Sequence, residues 1–235
     1  CLTLGTTSMN YQQEQQQWFD RWQEGRIGFH VSGENPWLTR FADDVYAAET
    51  TATSRILVPL CGKTWDLLWL RSRFHAVIGV ELVPQAVHDF FAEHELTPTQ
   101  DTVGPFERFR HGNLTLLQGD FFELELSHVD DQPFEAVYDR ASLIALPQEL
   151  RERYVPHLES LLAPRAQQLL ITISYEEGKT TGPPHSVTEE EVHQLFADQA
   201  DVSVLDTKDL LQESPNMQER GVSWARETAF RLQFR

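Results

Sequence analysis

Four short segments place groups able to hold a polar ligand at points where an apolar run gives out. Val58-Pro59-Leu60-Cys61-Gly62-Lys63 leaves one such run and enters a helical stretch. Gly62 lets a backbone approach a ligand closely, and the start of the next helix offers unsatisfied N–H groups to a carboxylate. Gly79-Val80-Glu81 ends the following run, and Glu81 lies 19 residues beyond Gly62 (81 − 62). An acid about 20 residues after a glycine turn is the spacing that binds ribose hydroxyls in βαβ units. Without that spacing an acid at a strand end reads as a solvated loop residue. Gly119-Asp120-Phe121-Phe122 sets an acid beside two rings, which suits a flat heterocycle or, for the rings, a plain core. Phe121 and Phe122 point in different directions, so at most one is expected to face a ligand. Tyr138-Asp139-Arg140 brings a planar fork of donors to the centre of the site, where Arg140 anchors a polar substrate or pairs with Asp139.

The elements that must position these groups follow from the hydrophobic pattern. Strands are expected at 55–60, 76–82, 114–119, 136–139 and 168–175, each short, mostly aliphatic or β-branched, and too apolar for a half-exposed sheet. Helical stretches lie between them at 65–71, 85–94 and 148–162, with Pro84 suited to a first turn. Ser186 and Thr188 precede Glu189, Glu190 and Glu191, which marks a capped helix at 188–198. Two last strands are expected at 202–205 and 229–234, the second as a hairpin partner. Alternating βα units with an antiparallel end imply a Rossmann-like, doubly wound, mostly parallel α/β sheet with its ligand beyond the carboxyl ends of the strands. Residues 1–17 are polar and Gln-rich and read as a flexible leader, part of which could be vector-derived; residues 18–235 read as one domain.

Composition narrows the function. A formal charge of −17 opposes binding to phosphate backbones, so nucleic acid is not an expected partner. No run approaches the ~18 apolar residues of a membrane span, and no basic-then-apolar secretory leader is present. With two cysteines, Cys1 and Cys61, and no disulfide framework, a cytoplasmic setting is expected. Nine histidines and two cysteines show no zinc-ligand spacing, so no metal is implied. Cys61 has no identifiable base beside it and reads as packing rather than as a nucleophile. His30 could relay a proton, although a structural or surface role is the better reading of a lone histidine.

Taken together, Trp18-Phe19-Asp20-Arg21-Trp22, Ile27-Gly28-Phe29-His30, Pro59-Leu60-Cys61-Gly62-Lys63, Gly79-Val80-Glu81 and Asp139-Arg140 occur in an order that resembles the thiopurine S-methyltransferase family. Gly182-Pro183-Pro184 and Glu219-Arg220-Gly221-Val222-Ser223-Trp224 extend the resemblance to the C-terminus. The resemblance implies a fold that binds S-adenosylmethionine (SAM) under an N-terminal cover and transfers its methyl group to the sulfur of aromatic or heterocyclic thiols. Selenium and tellurium compounds are further acceptors that it implies. By that likeness Trp18 and Trp22 help close the cofactor site, Leu60 and Gly62 line it, Glu81 holds the ribose, and Asp120 and Phe121 lie on the adenine side. Arg140 lies beside both cofactor and acceptor, and Phe29 and Arg220 contact the acceptor. A monomer acting on a small molecule is expected.

Two rival readings use the same residues. A nicotinamide-dependent oxidoreductase would share the sheet and the ribose acid, but the chain lacks G-x-G-x-x-G. A non-catalytic SAM-binding regulator would keep the fold without turnover. Trp18 and Trp22 are four apart and share one helix face, which suggests either a flap over the cofactor or a pin that holds the first helix to the core; loss of residues 1–15 is expected to cost little.

Overall fold

In the computed structural model the described residues are 3–27, 30, 32–46, 51–176, 178, 182–212 and 214–235. Nine strands form one sheet: β1 (Arg55–Val58), β2 (Ala76–Glu81), β3 (Thr99–Val103), β4 (Phe106–His111), β5 (Leu114–Gln118), β6 (Phe134–Asp139), β7 (Leu162–Tyr175), β8 (Ala200–Asp209) and β9 (Ala225–Phe234). Their spatial order is β3-β4-β5-β2-β1-β6-β7-β9-β8. β5, β2, β1, β6 and β7 run parallel, whereas β4 and β3 on one flank and β9 and β8 on the other are added by antiparallel pairing. The chain winds outward from β1 through β2 to β5 and returns to β6 on the other side of β1. The crevice of such a fold opens there.

Residues on the central strands alternate between two cores, because successive side chains leave opposite faces of a strand. Ile56 and Val58 join the cluster beneath α2 (Pro36–Val45), α3 (Asp66–Arg71) and α4 (Pro84–Glu93). Leu57 joins the opposite cluster beneath α5 (Ser142–Ala145), α6 (Gln148–Ser160) and α7 (Glu189–Phe196). This double burial is why the parallel strands read as unbroken apolar runs. The cap expected ahead of α7 is present: Thr188 Oγ1 accepts from Glu191 N at 3.2 Å, with three glutamates in the first turn.

Three departures from the pattern reading have physical causes. The β3–β4 hairpin was not expected, because its outer residues are polar and only Phe106 and Phe109 are buried. Arg108 bridges it, donating twice to Asp101 at 2.8 Å. α2 starts at Pro36 with Asn35 as its cap and buries Trp37, Leu38 and Phe41, although its polar partners hide the stripe in the sequence. Finally, α1 runs from Thr3 to Gln23, where an irregular leader was expected as far as Trp18. A short further helix, α8 (Pro215–Glu219), precedes β9.

Candidate active site

All four singled-out segments come to the carboxyl edge of the parallel strands. After β1 the chain makes a tight turn in which Leu60 (φ 48°) and Gly62 (φ 54°) both take left-handed conformations. Gly62 suits that backbone without strain, whereas Leu60 adopts it at a cost that surrounding structure must offset. The turn is pinned by Cys61 N, which donates to Val80 O at 2.9 Å. Cys61 itself is buried against Gly79; burial, then the nearby Glu81 charge, pushes its thiol up, so it is poorly suited to nucleophilic attack.

Glu81 leaves β2 directly into this turn. Its Oε2 accepts from Gly62 N at 2.8 Å and its Oε1 from Val83 N at 2.7 Å. The side chain is buried, and desolvation outweighs those backbone bonds, raising its carboxyl to about 7. A carboxylate offers about four acceptor positions, so two remain for hydroxyl donors. The remaining acceptor positions therefore fit a ribose diol.

Asp120 stands one residue beyond the Gly119 that follows β5. Its Oδ1 accepts from Phe122 N at 2.9 Å as the cap of a short 3₁₀ turn over Phe121–Glu123. The same oxygen accepts from Tyr11 OH at 2.6 Å, and Oδ2 accepts from Gln15 Nε2 at 2.9 Å. The Phe121 ring belongs to the core, 5.3 Å from Tyr154 and 5.1 Å from His157, which leaves its backbone as the route to a cofactor contact. Phe122 meets the Tyr11 ring edge-on at 5.7 Å, and Arg153 lies over both rings.

At the end of β6, Asp139 is fully buried and accepts from Tyr154 OH at 2.5 Å and Ser142 N at 3.0 Å. Burial raises its carboxyl to about 6 against those bonds. Asp139 thus serves the scaffold, and the following Arg140 is carried to the rim beside the switch point. His30 is depressed mainly by burial, then by Lys63, with Glu93 opposing and Arg140 adding to the depression, which places the histidine among these charges.

The N-terminal helix covers this edge. Trp22 is buried with Val83 and Ala86 at the start of α4, with Trp18, Phe19 and Ile27 packed against them. A Cβ built on Gly62 would lie 3.7 Å from the Trp22 ring, so the indole sits on the turn itself. On the far side, Arg220 donates to Pro183 O at 3.0 Å, and His185 N donates to Ile144 O at 2.6 Å, joining the 182–185 segment to α5 just after Arg140. Arg21 is depressed by burial, then by Arg26 and Arg220; His185 by burial, then by Arg151, Arg21 and Arg220. Arg21, Arg151 and Arg220 therefore lie near His185, with Arg151 paired to Glu191, and Arg26 near Arg21 is paired to Glu24. Phe29 and Gly28 lie outside the described residues.

The pattern reading missed Tyr11 and Gln15, although a signal was present. Positions 11, 15, 18 and 22 recur at helical spacing and form one face with the two tryptophans. Asp66 was also missed: it is buried and accepts from Tyr138 OH at 2.8 Å and Asn35 N at 2.7 Å, fixing the entry to α2. Nothing in its sequence neighbourhood marks those distant partners.

Comparisons with known proteins bear on the family and the fold. The family model described as thiopurine S-methyltransferase matches residues 13–235. Thiopurine S-methyltransferase of Pseudomonas aeruginosa (strain UCBPP-PA14) is 45% identical over 92% of this chain and 97% of its own. That of Nitrosospira multiformis is 40% identical over 93% and 97%. Among solved structures, a SAM-dependent methyltransferase from Anabaena variabilis superimposes with a TM-score of 0.64 at 15% identity, covering 94% of this chain and 95% of the other. The Burkholderia thailandensis 1,6-didemethyltoxoflavin-N1-methyltransferase, solved with 1,6-didemethyltoxoflavin and S-adenosylhomocysteine, gives 0.63 at 13% identity over 96% and 89%. These two likenesses carry the fold, and the sequence relatives carry more: the chain belongs to the thiopurine S-methyltransferase family.

Proposed function

We propose that this SAM-dependent S-methyltransferase acts on small aromatic or heterocyclic thiols, with Glu81, Asp120, Leu60 and Gly62 forming its cofactor cradle and Arg140 its acceptor side. The observation that carries the cofactor reading is the Glu81 carboxylate, fixed by two backbone N–H groups on a left-handed turn and retaining acceptor capacity. Trp18 and Trp22 close that turn from above, and Phe121 contributes through its backbone. When bound, SAM supplies a methyl group already activated on a sulfonium, so the protein need not create an electrophile.

The chain's own task is then to hold an acceptor in line and keep water out. Positioning of that kind is worth roughly 7–11 kcal/mol in favourable systems. Arg140 and Arg220 stabilise an acceptor that arrives as an anion. An acidic heterocyclic thiol is already ionised near neutral pH, so no strong base is required. His30, depressed by burial, is a neutral bystander or a local proton carrier. Selenium and tellurium oxyanions carry charge that the same two arginines would hold, and are proposed as secondary acceptors. We place the enzyme in the cytoplasm as a monomeric single domain over 18–235, with α1 as its cover. No helix among the described residues is long and apolar enough to cross a membrane.

The acceptor class is tested with two variants and two acceptors. Arg140→Lys keeps charge but loses the planar fork, and is expected to lower kcat/KM by about tenfold for a heterocyclic thiol. Phe29→Ala is expected to raise KM for an aromatic thiol and leave selenite turnover nearly unchanged, because selenite has no ring to stack. Equal losses for both acceptors would remove the aromatic contact from Phe29.

A further inference from the structure

We propose that Tyr11 and Gln15 are positioning residues of the cofactor site, holding the Asp120 carboxylate so that it keeps one acceptor position for the adenine amino group. This rests on the reading of Asp120 as the adenine-side acid. Oδ1 accepts two hydrogen bonds, from Phe122 N and Tyr11 OH, while Oδ2 accepts one, from Gln15 Nε2. Of about four lone-pair positions on a carboxylate, three are occupied, and the remaining one lies on Oδ2. The Phe122 bond alone would fix one oxygen and leave the other free to find water. Adding donors from residues 109 and 105 positions away in sequence sets the plane of the group.

The donors are themselves held. Tyr11 sits edge-on to Phe122, and the Arg153 guanidinium lies 5.4 Å from the Tyr11 ring and 4.8 Å from the Phe122 ring. Burial, then the bond to Asp120, pushes the Tyr11 hydroxyl well above its ordinary pKa, so it remains a donor across the working range. Gln15 lies one turn along the same helix face, followed by Trp18 and Trp22 over the ribose end. One face of α1 thus reaches from the adenine acid to the glycine turn, which makes the segment expected to be dispensable part of the site.

The test is calorimetry on the full chain with two probes, S-adenosylhomocysteine and S-inosylhomocysteine, whose base carries an oxo group in place of the amino group. Tyr11→Phe keeps the ring packing and removes one donor. It is expected to weaken S-adenosylhomocysteine binding roughly threefold to fivefold and leave S-inosylhomocysteine binding unchanged. KM for SAM should rise with kcat and melting temperature held, a split that a merely structural role would not give. Asp120→Ala should show the same discrimination more strongly. If Asp120→Ala discriminates between the probes and Tyr11→Phe does not, the positioning role is overturned while the adenine reading stands. If neither discriminates, the adenine reading itself fails. Tighter binding by Tyr11→Phe would show that Tyr11 competes with adenine, which also overturns the proposal.

Discussion

Glu81 and Asp120 end adjacent parallel strands, yet they are held in opposite ways. Glu81 is fixed by N–H groups of its own two turns, Gly62 and Val83, and lies buried beneath them. Asp120 is half-buried and owes two of its three bonds to side chains of the N-terminal helix. One acid belongs to the sheet and is preorganised whenever the sheet is folded. The other is complete only when α1 is seated. A shared strand edge can therefore present a rigid ribose end and an adenine end whose geometry depends on a cover.

The largest expected effect lies at the rigid end. Glu81→Ala removes a charged acceptor from a ribose diol, a loss of about 1.5–3 kcal/mol, or roughly one to two orders of magnitude in SAM affinity. Unchanged binding in a folded variant, read by calorimetry, would take the ribose role away from Glu81.

A pH series should give the next largest effect. Glu81 titrates near 7 in the folded chain because burial outweighs its two backbone bonds. Between the ordinary carboxylate range and about 7, the folded protein holds a proton that the unfolded chain has released, so this group's contribution to stability falls as pH rises through that window. Ribose hydroxyls donate best to the ionised form, so SAM binding moves the other way and weakens by up to about tenfold per unit below pH 7. The slope should vanish in Glu81→Gln; a slope that persists there belongs to another group.

The smallest effect should come from the cover. Removing residues 3–15 takes away both Asp120 partners on α1 but leaves Trp18 and Trp22 in place. SAM affinity is expected to fall about fivefold to tenfold, with Glu81-dependent pH behaviour intact. Hydrogen exchange over 16–27 should slow when S-adenosylhomocysteine is added; identical exchange with and without it would show that α1 does not respond to the cofactor.

This division also explains what could be read in the sequence. The cradle around Glu81 was legible because its parts are close in sequence and each rests on a local rule: a glycine with positive φ, an acid at a strand end, and a spacing of 19 residues. Central strands were legible because burial on both faces leaves unbroken apolar runs. The β3–β4 hairpin escaped because a half-exposed strand such as Thr99–Val103 carries hardly any apolar signal. Tyr11 and Gln15 escaped because a polar helix face reveals its purpose only when its partner, more than 100 residues away, is in view. Phe121 could be read as a ligand-facing ring or as core, and its ring lies in the core; composition alone does not separate those two fates.

The most direct test is transfer of labelled methyl from SAM to a heterocyclic thiol at pH 7.5, comparing the full-length protein with Glu81→Ala at a SAM concentration near the wild-type Kd. The expected result is label on the acceptor sulfur for the wild type and a rate roughly sevenfold or more lower for the variant, recovered in part by raising SAM. Label that stays on SAM with thiols, selenite and tellurite alike, in a protein shown to bind SAM, would contradict the assignment of acceptor and activity.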